Sequence, residues 1–237
     1  MKGSDIIMNR AEGIRRYIIF FFGLIFVSFG IAFTTKAMLG TSPISSIPYS
    51  LSLVLPQLSL GKWTILFNFL LIILQWVLLK KDAKKIELIL QVLFTFIFGY
   101  VIDFALLCIG ALEPVHYIAK FIVMVFGCVI LAFGVYLEVL GDVVMLPGDA
   151  FARVIAKGTH KEFGTIRMIS DTTMVIIAAI ICLCGLHALV GVREGTIFSA
   201  LTIGNIVKFY TRRLDKFARK ILPPGKIRKN VRKMNSQ

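Results

Sequence analysis

From residue 17 to residue 33 the chain carries no charged side chain, and a second uncharged run fills residues 63 to 79. Each approaches the roughly 20 residues that a helix needs to cross about 30 Å of hydrocarbon. A backbone in lipid must satisfy its own N–H and C=O groups, which leaves only helices and closed barrels. Barrel strands would alternate apolar and polar residues, and these runs do not. The reading extends to the whole chain, because 57% hydrophobic residues and a mean hydropathy of +0.84 exceed what one soluble core can hide.

The runs are related to one another. Phe22-Gly23 and Phe29-Gly30 recur as Phe126-Gly127 and Phe133-Gly134, and Pro43 recurs as Pro147, all 104 positions further on. One unit is used twice. In each copy a long apolar run ends at a Gly-rich break, Met38-Leu39-Gly40-Thr41-Ser42-Pro43 in the first and Gly141-Asp142-Val143-Val144-Met145-Leu146-Pro147-Gly148-Asp149 in the second. A shorter helix-compatible segment follows each break. Repeated spans interrupted at matching positions point to a membrane transporter with its site between the halves.

Six spans are expected, over about residues 17–36, 63–79, 88–111, 121–141, 168–189 and 195–209. Residues 1–16, with Lys2, Arg10, Arg15 and Arg16, form a basic lead; residues 17–111 are repeat one, 119–211 repeat two, and 212–237 a basic tail. The formal charge of +14 sits in blocks that border apolar runs, as cytoplasmic flanks do. Both termini are therefore placed in the cytoplasm, and the tail reads as a segment meeting anionic lipid in preference to a nucleic-acid arm. The first apolar run is too long, and too poor in small residues at its end, for a removable signal peptide. Cys108, Cys128, Cys182 and Cys184 lie in apolar runs as small hydrophobes, so neither a disulfide framework nor a zinc site is expected.

Parity then fixes orientation. Each copy holds three spans plus one short helix, and an odd number of crossings starts the second copy on the opposite side. The charges agree: Lys80, Lys81, Lys84 and Lys85 lie between the second and third spans of copy one, whereas residues 184–190 carry no basic side chain. Conversely Arg153, Lys157, Lys161 and Arg167 mark the short-helix region of copy two as internal. The fold class is thus an all-α membrane protein, six transmembrane helices as two inverted three-helix repeats, each with a short helix that is re-entrant or interfacial. Ser42 and Pro43 suit the N-cap and first position of the first short helix.

Several residues carry chemistry. A charge at mid-helix in a membrane costs about 2.5–3.5 kcal/mol on the insertion scale, so Asp103, Glu138 and Asp171 need partners or a function. Glu138 is the candidate proton-coupling carboxylate, with simple hydration near the inner interface as the alternative. Asp149 is the third residue of its short helix and is placed to bond back to the helix start; its counterpart in copy one is Ser45. Lys36 is a candidate for pairing with an anion or for snorkelling outward. Asn68 and Asp171 match at a shift of 103 and suit contact with the short-helix ends, or a hydrogen bond between helices. With Lys36, Ser42, Ser45, Asn68, Asp149 and Asp171 as substrate-binding candidates, a helix N-terminus in the interior favours an anionic group. No nucleophile–base pair, phosphate loop, cofactor motif or metal cluster is visible, and His116, His160 and His187 form no set, so an enzyme is not expected.

Lys36-Ala37-Met38-Leu39-Gly40-Thr41-Ser42-Pro43, the matching Leu146-Pro147-Gly148-Asp149, and Val192-Arg193-Glu194-Gly195-Thr196 at the start of the last span resemble the YczE/YyaS/YitT group of bacterial membrane proteins. The likeness covers about residues 15 to 213. It implies a bacterial inner-membrane protein, but its members usually carry an acidic residue after the Ser-Pro pair where this chain has Ser45. The expectation is a multi-pass protein that moves a small solute, anionic solutes included, as a secondary transporter or exporter. The competing class is a non-transporting membrane subunit or assembly factor, such as the substrate-capturing component of an energised complex. The expected partners are the bilayer and a small solute, with self-association open and no nucleic acid.

Overall fold

The computed structural model describes the backbone of residues 10–79, 85–112 and 114–221, with side chains between 12 and 214. Lys2, Lys80, Lys81, Lys84 and the tail from residue 222, all used above to orient the chain, lie outside the described residues. Within them the chain forms α1 Arg10–Lys36, α2 Pro43–Val54, α3 Leu60–Leu79, α4 Lys85–Cys108, α5 Tyr117–Gly141, α6 Pro147–Thr159, α7 Phe163–Leu186 and α8 Glu194–Ile221. Five helices are long and apolar enough to cross a membrane: α3, α4, α5, α7 and the stretch Glu12–Lys36 of α1. The stretch expected as a sixth span, residues 195–209, is the first part of α8, which does not stop at Phe209 but runs on through Arg212 and Arg213 to Ile221. The apolar pattern ends there, but nothing in the sequence breaks the helix.

α1 also begins earlier than its apolar run, since Glu12 and Arg16 pair one turn apart at 2.8 Å and carry the helix beyond the hydrocarbon-like stretch. Both long helices that precede a break stop in the same way. Met38 and Asp142, 104 positions apart, take left-handed backbone angles of φ 56 and φ 54, a conformation costing about 1–2 kcal/mol for a residue with a Cβ. At Asp142 the strain is offset locally: its N–H bonds to the Glu138 carbonyl, and its carboxylate lies 3.7 Å from the Arg16 guanidinium.

The core is the antiparallel crossing of α1 and α5. Phe26 meets Phe133 and Phe33 meets Phe126, each with ring centroids 5.1 Å apart, so the pairing runs in opposite senses along the two helices. Glycines make the approach possible. A Cβ at Gly30 would lie 2.5 Å from the Leu131 Cβ, and one at Gly134 would lie 2.5 Å from the Val27 nitrogen. Likewise a Cβ at Gly23 would lie 2.8 Å from Glu138, and one at Gly127 would lie 2.8 Å from Thr34. Each contact is the image of its companion under the 104-residue shift. Backbones this close gain dispersion contacts along the whole seam, the usual basis of helix association in lipid.

The other helices attach around this pair. α4 packs on α1 and α8 on α5; α2 packs on α7 and α6 on α3; α2 also meets α3, and α6 meets α7. α3 and α4 pack closely, whereas among the described residues α7 and α8 are not packed along one another.

The breaks turn inward. Met38 is exposed, but Leu39, Thr41 and Ser42 are almost wholly buried, and from Pro43 to Ser50 every residue of α2 except Ile44 is buried. The last turn of α2, residues 51–54, is partly exposed, and the chain is exposed at Leu55 and Pro56. In α6 the buried residues are Pro147, Gly148, Ala150, Ala152 and Ala156, and its last turn is exposed. The two starts touch: a Cβ at Gly148 would lie 3.0 Å from Ile44 Cγ1.

Candidate functional site

In α6 the sequence places Pro147 first, where its fixed φ suits a helix start and its missing N–H is no loss. Asp149 follows two residues later. In place of the bond to the helix start that the spacing suggested, its carboxylate pairs with the Arg167 guanidinium of α7 at 2.8 Å. A charge-assisted bond to a guanidinium is stronger than one to a backbone N–H, and α7 brings the guanidinium within reach. Arg167 also lies 4.0 Å from Asp171, one turn further along α7. The break itself is tied to α3, where the buried Gln75 amide donates to the Pro147 carbonyl at 3.0 Å.

Glu138 approaches from α5. It is 8% exposed, wedged against Gly23, and among the described residues its Oε1 has no hydrogen-bond partner. Asp149 and Arg167 are within electrostatic range of it. The structure therefore joins three of the sequence candidates, Glu138, Asp149 and Asp171, around one cation that sequence reasoning had treated only as a marker of the inner side. The signal was present in two forms: Arg167 and Asp171 are four residues apart on one helix face, and carboxylates at this depth require a positive partner.

The equivalent place in copy one is uncharged. Ser45, Thr64 and Asn68 occupy the positions of Asp149, Arg167 and Asp171, at shifts of 104, 103 and 103. The Ser42 and Ser45 hydroxyls are 3.2 Å apart, so Ser42 holds the N-cap position without its side chain bonding the helix N–H groups. Thr64 donates to its own helix at Leu60, and the buried Asn68 makes no side-chain hydrogen bond among the described residues. α8 secures this break: Gly195 N–H donates to the Leu39 carbonyl at 2.8 Å, and the Ser199 hydroxyl to the Thr41 carbonyl at 3.2 Å. Gly40 sits at φ 100, where a Cβ would lie 3.0 Å from the Arg193 nitrogen, so only glycine fits.

Lys36 stands apart from both groups. Its ammonium donates to the Gly110 carbonyl at 3.0 Å, and it lines a cavity of about 420 Å³ with Thr35, Met38, Tyr49, Leu112 and Val115. Asp103 has a structural partner, because its carboxylate accepts from the Ser59 hydroxyl at 2.5 Å and the Gly61 N–H at 2.8 Å at the start of α3. His160 and His187 end α6 and α7 in left-handed conformations and do not converge.

A family model described as a family of unknown function, DUF6198, matches residues 14–212. The chain is 27% identical over 201 residues to the Bacillus subtilis (strain 168) protein named "Uncharacterized membrane protein YczE", covering 84% of this chain and 87% of that relative. This bears out the resemblance drawn from the two break motifs. No solved structure matches the chain. The relative's name and the candidate spans together support a multi-pass membrane protein.

Proposed function

The chain belongs to the DUF6198 family, and from that premise we propose that it is a secondary transporter or exporter of a small solute in the bacterial inner membrane. In this reading α8 is the sixth span, the two halves are inverted repeats, both termini are cytoplasmic, and α2 and α6 are re-entrant helices. The observation that carries it is the contact of Ile44 with Gly148, which brings the N-termini of the two short helices together inside the protein. Three further features support it: the antiparallel α1–α5 seam, the burial of α2 on nearly all sides, and pairs of helix contacts that exchange when copy one is mapped on copy two.

Two helix starts facing one point concentrate unpaired N–H groups and positive dipole ends there. At α6 the protein supplies its own anion, Asp149. At α2 the corresponding residue is Ser45, and a small anionic solute fills the role that Asp149 plays opposite, with Ser42, Ser45 and Asn68 as its polar contacts. Glu138, buried beside the ion cluster, carries the coupled proton. The test is flux in proteoliposomes loaded with a pH-sensitive dye and challenged with a panel of small monovalent anions. Wild type should show anion-dependent proton movement, and Glu138→Gln should lose it. Unchanged coupled flux in that variant removes Glu138 from the mechanism. No flux, with an ATPase subunit co-purifying in stoichiometric amount, replaces the reading with that of a subunit of an energised complex.

A further inference from the structure

The two copies agree closely at the α1–α5 seam and differ in how their last two helices meet. In copy one, α3 and α4 meet through Gly61 and Gly99: both are buried, and a Cβ on Gly99 would lie 2.7 Å from the Gly61 carbonyl oxygen. Asp103, one turn beyond Gly99, closes over the start of α3 by binding Ser59 and the Gly61 N–H. The sequence repeats every part of this junction in copy two. Gly61 corresponds to Gly164 and Ser59 to Glu162, both at a shift of 103; Gly99 corresponds to Gly204 and Asp103 to Lys208, both at a shift of 105.

Yet the second junction is not made. Gly164 and Gly204 are exposed; among the described residues a Cβ on Gly204 would meet nothing within 4 Å, and one on Gly164 only the neighbouring Glu162 side chain at 3.5 Å. Glu162 and Lys208 are likewise exposed, and among the described residues neither forms an ion pair. Their chemistry is nevertheless complementary. Where copy one sets a carboxylate on α4 against a hydroxyl and an N–H, copy two sets an ammonium on α8 against a carboxylate at the N-cap of α7.

The difference reaches the ion cluster. Behind the closed α3–α4 junction, Ser45, Thr64 and Asn68 are 4%, 5% and 5% exposed. Beside the open α7–α8 junction, Asp149, Arg167 and Asp171 are partly exposed. One half of the central region is sealed and the other is accessible.

We propose that Gly164 with Gly204, clasped by a Glu162–Lys208 ion pair, is a second gate that closes when the Gly61–Gly99 gate opens, so that the two ends of the central region are exposed in alternation. The proposal deepens the transport reading and rests on it for its purpose, but its geometry stands on the matched residues. Two sequence-related halves with nearly equal packing have two arrangements of similar free energy, and a coupled pair of junctions selects between them. Glycine at both closing positions is what lets helix backbones approach, as it does at the first gate.

The experiment is disulfide trapping in the full chain in membranes, with exposed Cys108 and Cys184 replaced by serine. Glu162→Cys with Lys208→Cys tests the second gate, and Ser59→Cys with Asp103→Cys the first. A disulfide requires Cα atoms within ~7 Å, so both pairs should form under mild oxidant, each in a fraction of the molecules. A third cysteine at Asn68, probed with a membrane-impermeant maleimide, should become reactive when the 162–208 pair is locked and stay protected when the 59–103 pair is locked. Ser59, Glu162 and Lys208 are exposed and Asp103 is partly buried near the end of α4, so folding of each pair is monitored by monodisperse elution. A 59–103 disulfide without any 162–208 disulfide overturns the gate, and so does a 162–208 lock that leaves residue 68 protected. Trapping reads geometry without any solute. Gates that alternate in a protein without flux defeat the transport reading and leave this one standing, whereas flux without the second cross-link does the reverse.

Discussion

Replacing Gly30 by alanine puts a methyl group into the tightest part of the α1–α5 seam. That carbon would lie 2.5 Å from the Leu131 Cβ and 2.6 Å from the Leu131 Cα and nitrogen, and backbone atoms cannot turn aside as a side-chain end can. The helices must separate locally, and overpacking of this kind costs about 1–3 kcal/mol. Alanine also regains about 0.5–1 kcal/mol of helix propensity over glycine, which obscures the effect of a single variant. Gly204→Ala removes that ambiguity, because it makes the same propensity gain with nothing within 4 Å. The difference between the two is then the seam alone, about 1–3 kcal/mol, or roughly 2–12 °C in Tm at about 2–4 °C per kcal/mol for a chain of this size. Thermal unfolding in detergent, followed with a thiol-reactive fluorophore that reports the buried Cys128 and Cys182 in a background lacking Cys108 and Cys184, gives the two values. Gly134→Ala, the image of Gly30→Ala, should match it in size. Equal Tm for Gly30→Ala and Gly204→Ala would refute the close crossing of α1 and α5.

The ion cluster and the helix start at Asp103 give two more expectations. Arg167→Ala leaves Asp149 and Asp171 without their cation; because these side chains are a quarter to a third exposed, the cost is expected at about 1–2 kcal/mol, below that of a fully buried pair. Adding Asp149→Asn should recover part of the lost Tm, and a double variant less stable than Arg167→Ala would contradict the pairing. Asp103→Asn weakens the bonds to Gly61 and Ser59 and should lower stability by about 1 kcal/mol, measured by the same unfolding assay, while a carboxylate waiting for a transported ion would show no such loss.

How much of this was legible in the sequence divides along physical lines. The spans, the breaks and the start of both short helices follow from local rules: uncharged length, glycine spacing, and Pro43 and Pro147 at positions where proline is favourable. The seam was also foreshadowed, since Gly23 and Gly30, seven residues apart, share one face of α1 as their images Gly127 and Gly134 share one face of α5. What the sequence withheld depends on tertiary approach. Arg167 looked like one basic residue among several near an inner loop, and only the packing of α6 on α7 makes it the partner of Asp149. Lys36 looked equivalent to the other polar residues of the break, but the turn at Met38 sends the chain inward and leaves Lys36 behind with Gly110. α8 outran its apolar stretch because helix propensity continues where hydropathy stops. The open α7–α8 junction was invisible for a different reason: Gly164 and Gly204 match Gly61 and Gly99 in sequence, and only the packing distinguishes the exposed pair from the buried one.

The account depends on α2 and α6 dipping back from opposite faces to meet at their N-termini. Single cysteines at Gln57, just past the end of α2, and at Thr159, the last residue of α6, sit at the exposed ends of the two short helices. Labelling each with a membrane-impermeant maleimide in right-side-out and inside-out vesicles reads their sides directly. Residue 57 should react only from the outside and residue 159 only from the inside. Reaction of both from the same face would contradict the inverted arrangement and the transport reading built on it.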